Sequence, residues 1–158
     1  MESVRPALRS DSDACARLCS DALRELAHER GGALYTRRET GLIAKALLRP
    51  GGLDRLLADR RRMTVVGQID DVAVGIAIAR QDAVGEASIG VLDALYVERE
   101  ARGVGVGRMM LDALLSWMSV RGCLAVDASA LPGQRETKNF FEAAGFKARL
   151  ITMHKELS

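Results

Sequence analysis

Aromatic residues are scarce in this chain, with one Trp, two Tyr and three Phe among 158 residues. Single strands of nucleic acid need rings on which to stack and duplex DNA needs a basic footprint, yet the formal net charge is only +2. No nucleic-acid partner is expected. Cysteine is as sparse: Cys15, Cys19 and Cys123 are odd in number and share no metal-ligand spacing, and the two histidines, His28 and His154, lie far apart. Neither a metal site nor a disulfide framework is expected. The chain has no run of about 20 apolar residues, and its opening MESVRPALRSDSDA joins no basic stretch to an apolar one. Membrane spanning and export are therefore not expected, and a cytoplasmic location is. Lysine is the last scarcity, 4 of the 23 basic residues, which fits the codon usage of a GC-rich genome better than a phosphate-binding surface.

What is present describes one domain over residues 1–158, since a chain this long that is 48% hydrophobic can bury about 70% of its unfolded surface without staples. The pattern is α/β. Val4–Leu8 reads as a first strand, and Ser10, Asp11 or Ser12 can cap a following helix whose apolar positions, Cys15, Leu18, Cys19, Ala22 and Leu26 among them, share one face up to Gly31-Gly32. The two cysteines therefore read as core. Thr36 and Glu39 form a T-x-x-E capping box for a second helix through Leu47, broken at Pro50-Gly51-Gly52, and Leu53–Asp59 adds a turn. From Met63 the periodicity changes to β-branched runs: Met63–Ile69, an Asp70-Asp71 turn, Val72–Arg80, a second turn near Asp82–Gly85, and Ser88–Val97. That is an antiparallel meander. Val106–Val120 is a strongly apolar helix closed by Gly122, and Cys123–Ala128 is a further strand, so Ser88–Val97 and Cys123–Ala128 should run parallel across a βαβ crossover. Gln134–Ala144 predicts another helix and Phe146–Leu157 a closing strand.

The stretch from Leu95-Tyr96-Val97 to Arg102-Gly103-Val104-Gly105-Val106-Gly107-Arg108 joins a strand to a helix. Glycines at alternate positions let backbone approach a ligand closely, and the amides of a helix N-terminus carry partial positive charge, so an anion is the expected guest. The same glycines can serve only to pack the helix tightly, and the motif alone leaves both readings open. They do not spell G-x-G-x-x-G, and no lysine lies between Lys45 and Lys138 to complete a nucleoside-triphosphate loop.

Arg102-x-x-Gly105-x-Gly107, preceded by Leu-Tyr-Val and followed by an apolar helix, resembles the pyrophosphate-binding motif of the GNAT superfamily of acyl-CoA-dependent N-acyltransferases. Phe141-Glu142-Ala143-Ala144-Gly145-Phe146 resembles the family's Y-E-x-x-G-F segment, and Thr137-Lys138-Asn139-Phe140-Phe141 the S-x-N-F-Y segment of its polyamine acetyltransferases. About the last 85 residues match well, and the first 60 match in layout only. The resemblance implies a mixed, mostly antiparallel central sheet flanked by helices, with a V-shaped split between the fourth and fifth strands. It further implies acetyl-CoA in that split, its pyrophosphate on amides of Gly103, Val104, Gly105, Val106, Gly107 and Arg108 beside Arg102. Its pantetheine would lie on main-chain groups of Leu95 and Val97 in a bulged fourth strand. Thr137 and Lys138 are then cofactor contacts, or else ordinary helix-surface residues.

By the same resemblance the activity is transfer of an acetyl group from acetyl-CoA to a primary amine on a small molecule, a peptide or a protein lysine. An ammonium with an ordinary pKa of about 10.4 is almost all charged at neutral pH, so a general base is useful. Asp93, among the apolar Val91, Leu92 and Ala94, stands where a resembling segment carries an acid and is the candidate catalytic residue, with Glu86 and Asp127 in reserve. A solvated strand residue, or a salt bridge from Asp93 to an arginine, is the competing reading. Phe141 stands where many members have a tyrosine that protonates the leaving thiolate, which leaves Tyr35, Ser129, water or, least favoured, Tyr96. It also admits a non-catalytic acyl-CoA-binding module acting through a protein partner. No Ser, Cys or His pairing offers a nucleophile, so direct attack in a ternary complex is expected. The acceptor entrance is expected between Ala22 and Arg62, where Arg37, Arg38, Arg60, Arg61 and Arg62 mix with Glu25, Glu29 and Glu39, a rim too little acidic to favour a polycation. Assembly as a homodimer is left open.

Overall fold

The structure is a computed structural model and describes residues 1–39 and 41–158. Its centre is a five-stranded sheet in the order β1 (Glu2–Pro6), β2 (Arg62–Ile69), β3 (Val72–Val84), β4 (Ala87–Val97) and β5 (Val126–Asp127). The first four strands are antiparallel to their neighbours and β5 runs parallel to β4, the mixed sheet the sequence implies. Between β1 and β2 come α1 (Ser12–Ala27), α2 (Gly32–Arg38), α3 (Gly41–Leu47) and α4 (Gly52–Ala58); α5 (Val106–Val120) links β4 to β5, and α6 (Arg135–Ala143) follows. No helix among the described residues is long and apolar enough to cross a membrane.

The sheet separates two apolar layers, because successive side chains of a strand point to opposite faces. On one face α5 buries Val106, Met110, Leu111, Leu114 and Met118 against Val65, Ala77, Ala79, Leu92 and Val97. On the other, Cys15, Leu18 and Cys19 of α1, with Leu47, Leu53 and Leu56, cover Val66, Ile76 and Ile78. Each large apolar side chain so buried contributes about 1.5–3 kcal/mol. Both cysteines are core, as their spacing indicates. The height of α5 is set by glycines: a Cβ on Gly67, Gly75 or Gly90 would come within 2.4, 2.8 or 2.3 Å of Val106, Met110 or Met118. Three strands thus give up a side chain so that α5 lies close to the sheet and its first turn meets the end of β4.

The Asp70-Asp71 turn is as expected: both residues are left-handed, at φ 48° and 66°, between the paired Ile69 and Val72. Other boundaries move. β1 lies two residues early, and Asp11 caps no helix with its side chain; its carboxylate accepts the Leu8 amide at 2.7 Å and pairs with Arg5, which holds it below the usual carboxylate range. Thr36 starts no helix either. It lies inside α2, where its hydroxyl donates to the Ala33 carbonyl at 3.0 Å, because Gly32 has already begun the helix. The second hairpin turn is only Gly85-Glu86, since residues 81–84 continue the ladder. The expected strand Cys123–Ala128 pairs only at Val126 and Asp127, and residues 146–158 form no strand. A period-2 sequence becomes a strand only against a partner edge, and the described chain sets none beside Phe146–Leu157.

Candidate functional site

β4 and β5 meet only at Gly90–Val126 and Val91–Asp127 and then diverge, so residues 92–97 of β4 have no strand on that side. This is the V-shaped split. The amide of Glu98 donates to the Val74 carbonyl, and the alternation of an antiparallel ladder then turns the main-chain groups of Leu95 and Val97 away from β3, toward the split. Their side chains pack with the α5 layer. The Val97 carbonyl is taken by Arg102 at 2.7 Å, which leaves the Leu95 amide and carbonyl and the Val97 amide to a guest lying along β4.

At the wide end of the split lies the first turn of α5. Gly105 is its N-cap at φ 96° and Gly103 precedes it at φ 85°, a region that favours glycine. No side chain caps this end and no acid stands in its first turn, so the amides of Val106, Gly107 and Arg108 are free to hold an anion. A Cβ on Gly103 or Gly105 would meet nothing within 4 Å, and one on Gly107 would touch Phe140 and Val97 at 3.6 Å. The glycines at 103 and 105 are therefore not there to pack the helix. Val106 buries its side chain and offers only backbone, Val104 is half-exposed, and Arg108 pairs with Asp112 at 3.0 Å. Arg102 straps the loop down: besides Val97 it binds Glu25 of α1 at 2.8 Å and lies 5.5 Å from the Tyr96 ring centre. Burial raises the Glu25 carboxyl, but Arg102 and the Tyr96 hydroxyl outweigh it and leave it below its ordinary value. Nothing local marks Glu25 for this, since its partners lie 71 and 77 residues away.

At the narrow end, β4 bulges. Ile78 pairs with Ala94 and Ala79 with Leu92, so Asp93 is the extra residue. The bulge sets its buried carboxylate on the α1 face, between Arg62 at 2.9 Å and Arg80. Those two arginines are direct cross-strand partners, a like-charge pairing that Asp93 neutralises, with Asp59 and Asp82 on their far sides. Burial pushes the Asp93 carboxyl above its usual range while both guanidiniums pull it back. The buried carboxylate and the arginine pair foreseen as alternatives exist together.

Tyr35 of α2 lies within electrostatic reach of Asp93; burial holds its phenol above the ordinary value, and the Ser129 hydroxyl beside it offsets this only in part. Tyr96 is committed elsewhere, its hydroxyl donating to Glu25 at 3.0 Å and its phenol pushed up to about 12, first by burial and then by that carboxylate. Asp127 is held below its usual value by Arg149, and Glu86 is exposed in the hairpin turn, at the far end of β4 from the split. On α6, Thr137 is half-buried and Lys138 pairs with Glu142 at 3.7 Å. Phe141 packs between Phe140 and Phe146, ring centres 5.3 and 5.2 Å away, beside the α5 layer. Burial lifts the thiols of Cys15 and Cys19 to about 11 and about 12, so neither is a nucleophile at neutral pH.

The same layout recurs in solved structures. Aminoglycoside N-acetyltransferase AAC(6')-Iy in complex with CoA superposes with a TM-score of 0.72 at 19% identity, over 99% of this chain and 96% of that one. A ribosomal-protein-alanine N-acetyltransferase from Brucella melitensis biovar Abortus 2308 gives 0.67 at 18%, over 100% of both chains. A transcriptional regulator from Bacillus halodurans C-125 gives 0.73 at 18%, over 99% and 100%. At these identities the likeness is one of fold. A sequence search of the curated proteins finds no match. The model of the acetyltransferase (GNAT) family matches residues 20–146, most of the chain and every element of the split. The chain belongs to the GNAT family of acetyltransferases.

Proposed function

We propose that this protein transfers an acetyl group from acetyl-CoA to a primary amine by direct attack in a ternary complex. The observation that carries the reading is a continuous line of unpaired backbone, from Leu95 and Val97 to the three free amides of α5, beside glycines with open space in front of them. When bound, acetyl-CoA supplies the acetyl group as an activated thioester. Val106, Gly107 and Arg108 hold its pyrophosphate by their amides, with Gly103, Val104 and Gly105 shaping the approach, and Leu95 and Val97 pair with its pantetheine arm. Thr137 and Lys138 complete the cofactor side. Asp93 takes the proton that keeps the acceptor amine charged, its raised proton affinity suiting that task. The acceptor, a small-molecule amine, a peptide or a protein lysine, enters from the α1–α4 face, and the protein works in the cytoplasm as a single domain over residues 1–158. Release of free thiol from acetyl-CoA, measured over a panel of polyamines, aminoglycosides, amino acids and peptides, tests the reading; binding of coenzyme A by calorimetry with no turnover on any acceptor would overturn it.

Two observations favour a second reading, a binding module without turnover. Phe141 has no proton to give, and both Asp93 oxygens are already paired with arginines. The same experiment separates the two.

A further inference from the structure

Between the buried Ala101 and the buried Val106 the chain runs exposed through Arg102-Gly103-Val104-Gly105. Two of these four residues have no side chain to restrain them, and Arg102 is the one charged group in the span. What Arg102 grips lies on another element. Glu25 of α1 accepts from Arg102 Nη2 at 2.8 Å through Oε2 and from the Tyr96 hydroxyl at 3.0 Å through Oε1, and Arg99 Nη2 stands 4.0 Å from Oε1. One carboxylate thus ties the end of β4, the single 3-10 turn Arg99–Ala101 and the loop after it to one point on α1. That point is itself fixed. Arg17, two turns back on α1, donates to Glu98 at 2.8 Å and to the Ala73 carbonyl at 3.1 Å, while Cys15, Leu18 and Cys19 seat the helix on the sheet.

We propose that Glu25 is a positioning residue of the cofactor site: through Arg102 it fixes the loop that leads into the free amides of Val106, Gly107 and Arg108, so that the loop is ordered before a pyrophosphate arrives. The proposal rests on the reading that this loop takes coenzyme A. It gives α1, which lies on the acceptor face of the sheet, a part in holding the cofactor on the other side. Without the Glu25 carboxylate, Arg102 keeps the Val97 carbonyl through Nε alone, and its outer nitrogens have no anion to hold them. Ordering the loop then becomes part of the cost of binding, which lowers affinity and leaves the chemistry of the bound state as it was.

Glu25→Gln keeps the shape and removes the charge. The Kd of coenzyme A by calorimetry and the KM of acetyl-CoA in the thiol-release assay should both rise about tenfold, with kcat within about twofold of the parent. Arg102→Gln should lose at least as much, and the double variant should bind no more weakly than Arg102→Gln alone, because the two residues act in series. Tyr96→Phe keeps the ring beside Arg102 and removes only the other hydrogen bond to Glu25, so its affinity should stay within about twofold. Trypsin reads the strap with no cofactor present: cleavage after Arg102 should quicken about tenfold in Glu25→Gln, while cleavage after Arg121, in the turn beyond α5, keeps its rate. A parent that binds no coenzyme A would overturn the reading of the loop and this proposal with it. A parent that binds, with Glu25→Gln unchanged in affinity or in cleavage, an additive double variant, an equal loss in Tyr96→Phe, or a fall in kcat with affinity kept, would overturn the proposal alone.

Discussion

The two ends of the split are built on opposite plans. At the α5 end the chain leaves polar groups unpaired, three amides with no cap, and holds them in place through left-handed glycines and the Arg102 strap. At the bulge it pairs everything: Asp93 spends both oxygens on Arg62 and Arg80, and each arginine has a second carboxylate behind it. On the proposed reading, recognition at the first end rests on backbone conformation and on amides left without a cap or a nearby acid. On the proposed reading, chemistry at the second is a matter of electrostatic balance between one buried carboxylate and two arginines.

The sharpest break is at the backbone end. Gly105→Val imposes about 1–3 kcal/mol of strain on a β-branched residue at positive φ and sets methyl groups where the ligand approaches, so affinity for coenzyme A should fall about 100-fold or more by calorimetry. Unchanged affinity would remove this loop from the cofactor site. Asp93→Asn strikes the balanced end instead: turnover should fall about 100-fold with coenzyme A affinity kept. The melting temperature should change little, because the burial that raises the Asp93 carboxyl offsets what its two arginines contribute. Loss of cofactor binding in this variant would mean the two ends are not separable.

Phe141→Tyr sharpens the contrast from a third side by adding a proton donor to the aromatic group on α6. A rise in thiol release of about tenfold is expected if proton supply to the leaving group limits the rate. No rise, with normal cofactor binding, would mean that water or Tyr35 with Ser129 already supplies it.

The smallest effect distinguishes the ends by sign. Glu25 is held below its ordinary value in the fold, so the stability it adds is present above the ordinary carboxylate range and is lost as pH falls through its lowered value. Asp93 is held above its ordinary value, so the fold takes up a proton before the unfolded chain does, and acidification through that raised value favours the fold. Urea denaturation at pH 7, 5 and 4 should therefore show the gap between parent and Glu25→Gln narrowing on acidification, and the gap between parent and Asp93→Asn shifting in the parent's favour. Each change should stay within about 1 kcal/mol, because Glu25 is partly exposed and screened and because the two arginines offset much of the burial of Asp93. Two shifts of the same sign would dissolve the comparison.

What the sequence disclosed were features carried by neighbours along the chain. The apolar spacing of Met110, Leu111, Leu114 and Met118 places α5, Asp70-Asp71 closes its hairpin, and the alternating glycines mark the loop. What it concealed depends on register between distant segments. Asp93 becomes the odd residue of a bulge only because β3 pairs on either side of it, and its arginines lie 31 and 13 residues back. The Arg102 strap to α1 belongs to the same class. Thr36 and Glu39 show the converse failure, a correct local signature overruled because Gly32 had already begun the helix.

Gly67, Gly75 and Gly90 act on the loop from beneath α5, through Val106, Met110 and Met118. In evolutionary terms this couples three strand positions to three helix positions. A glycine that gains a methyl group lifts or tilts the helix unless the side chain above it shrinks in the same lineage. The position of the loop ahead of α5 thus depends on large-for-small contacts beneath the helix as well as on the loop's own residues.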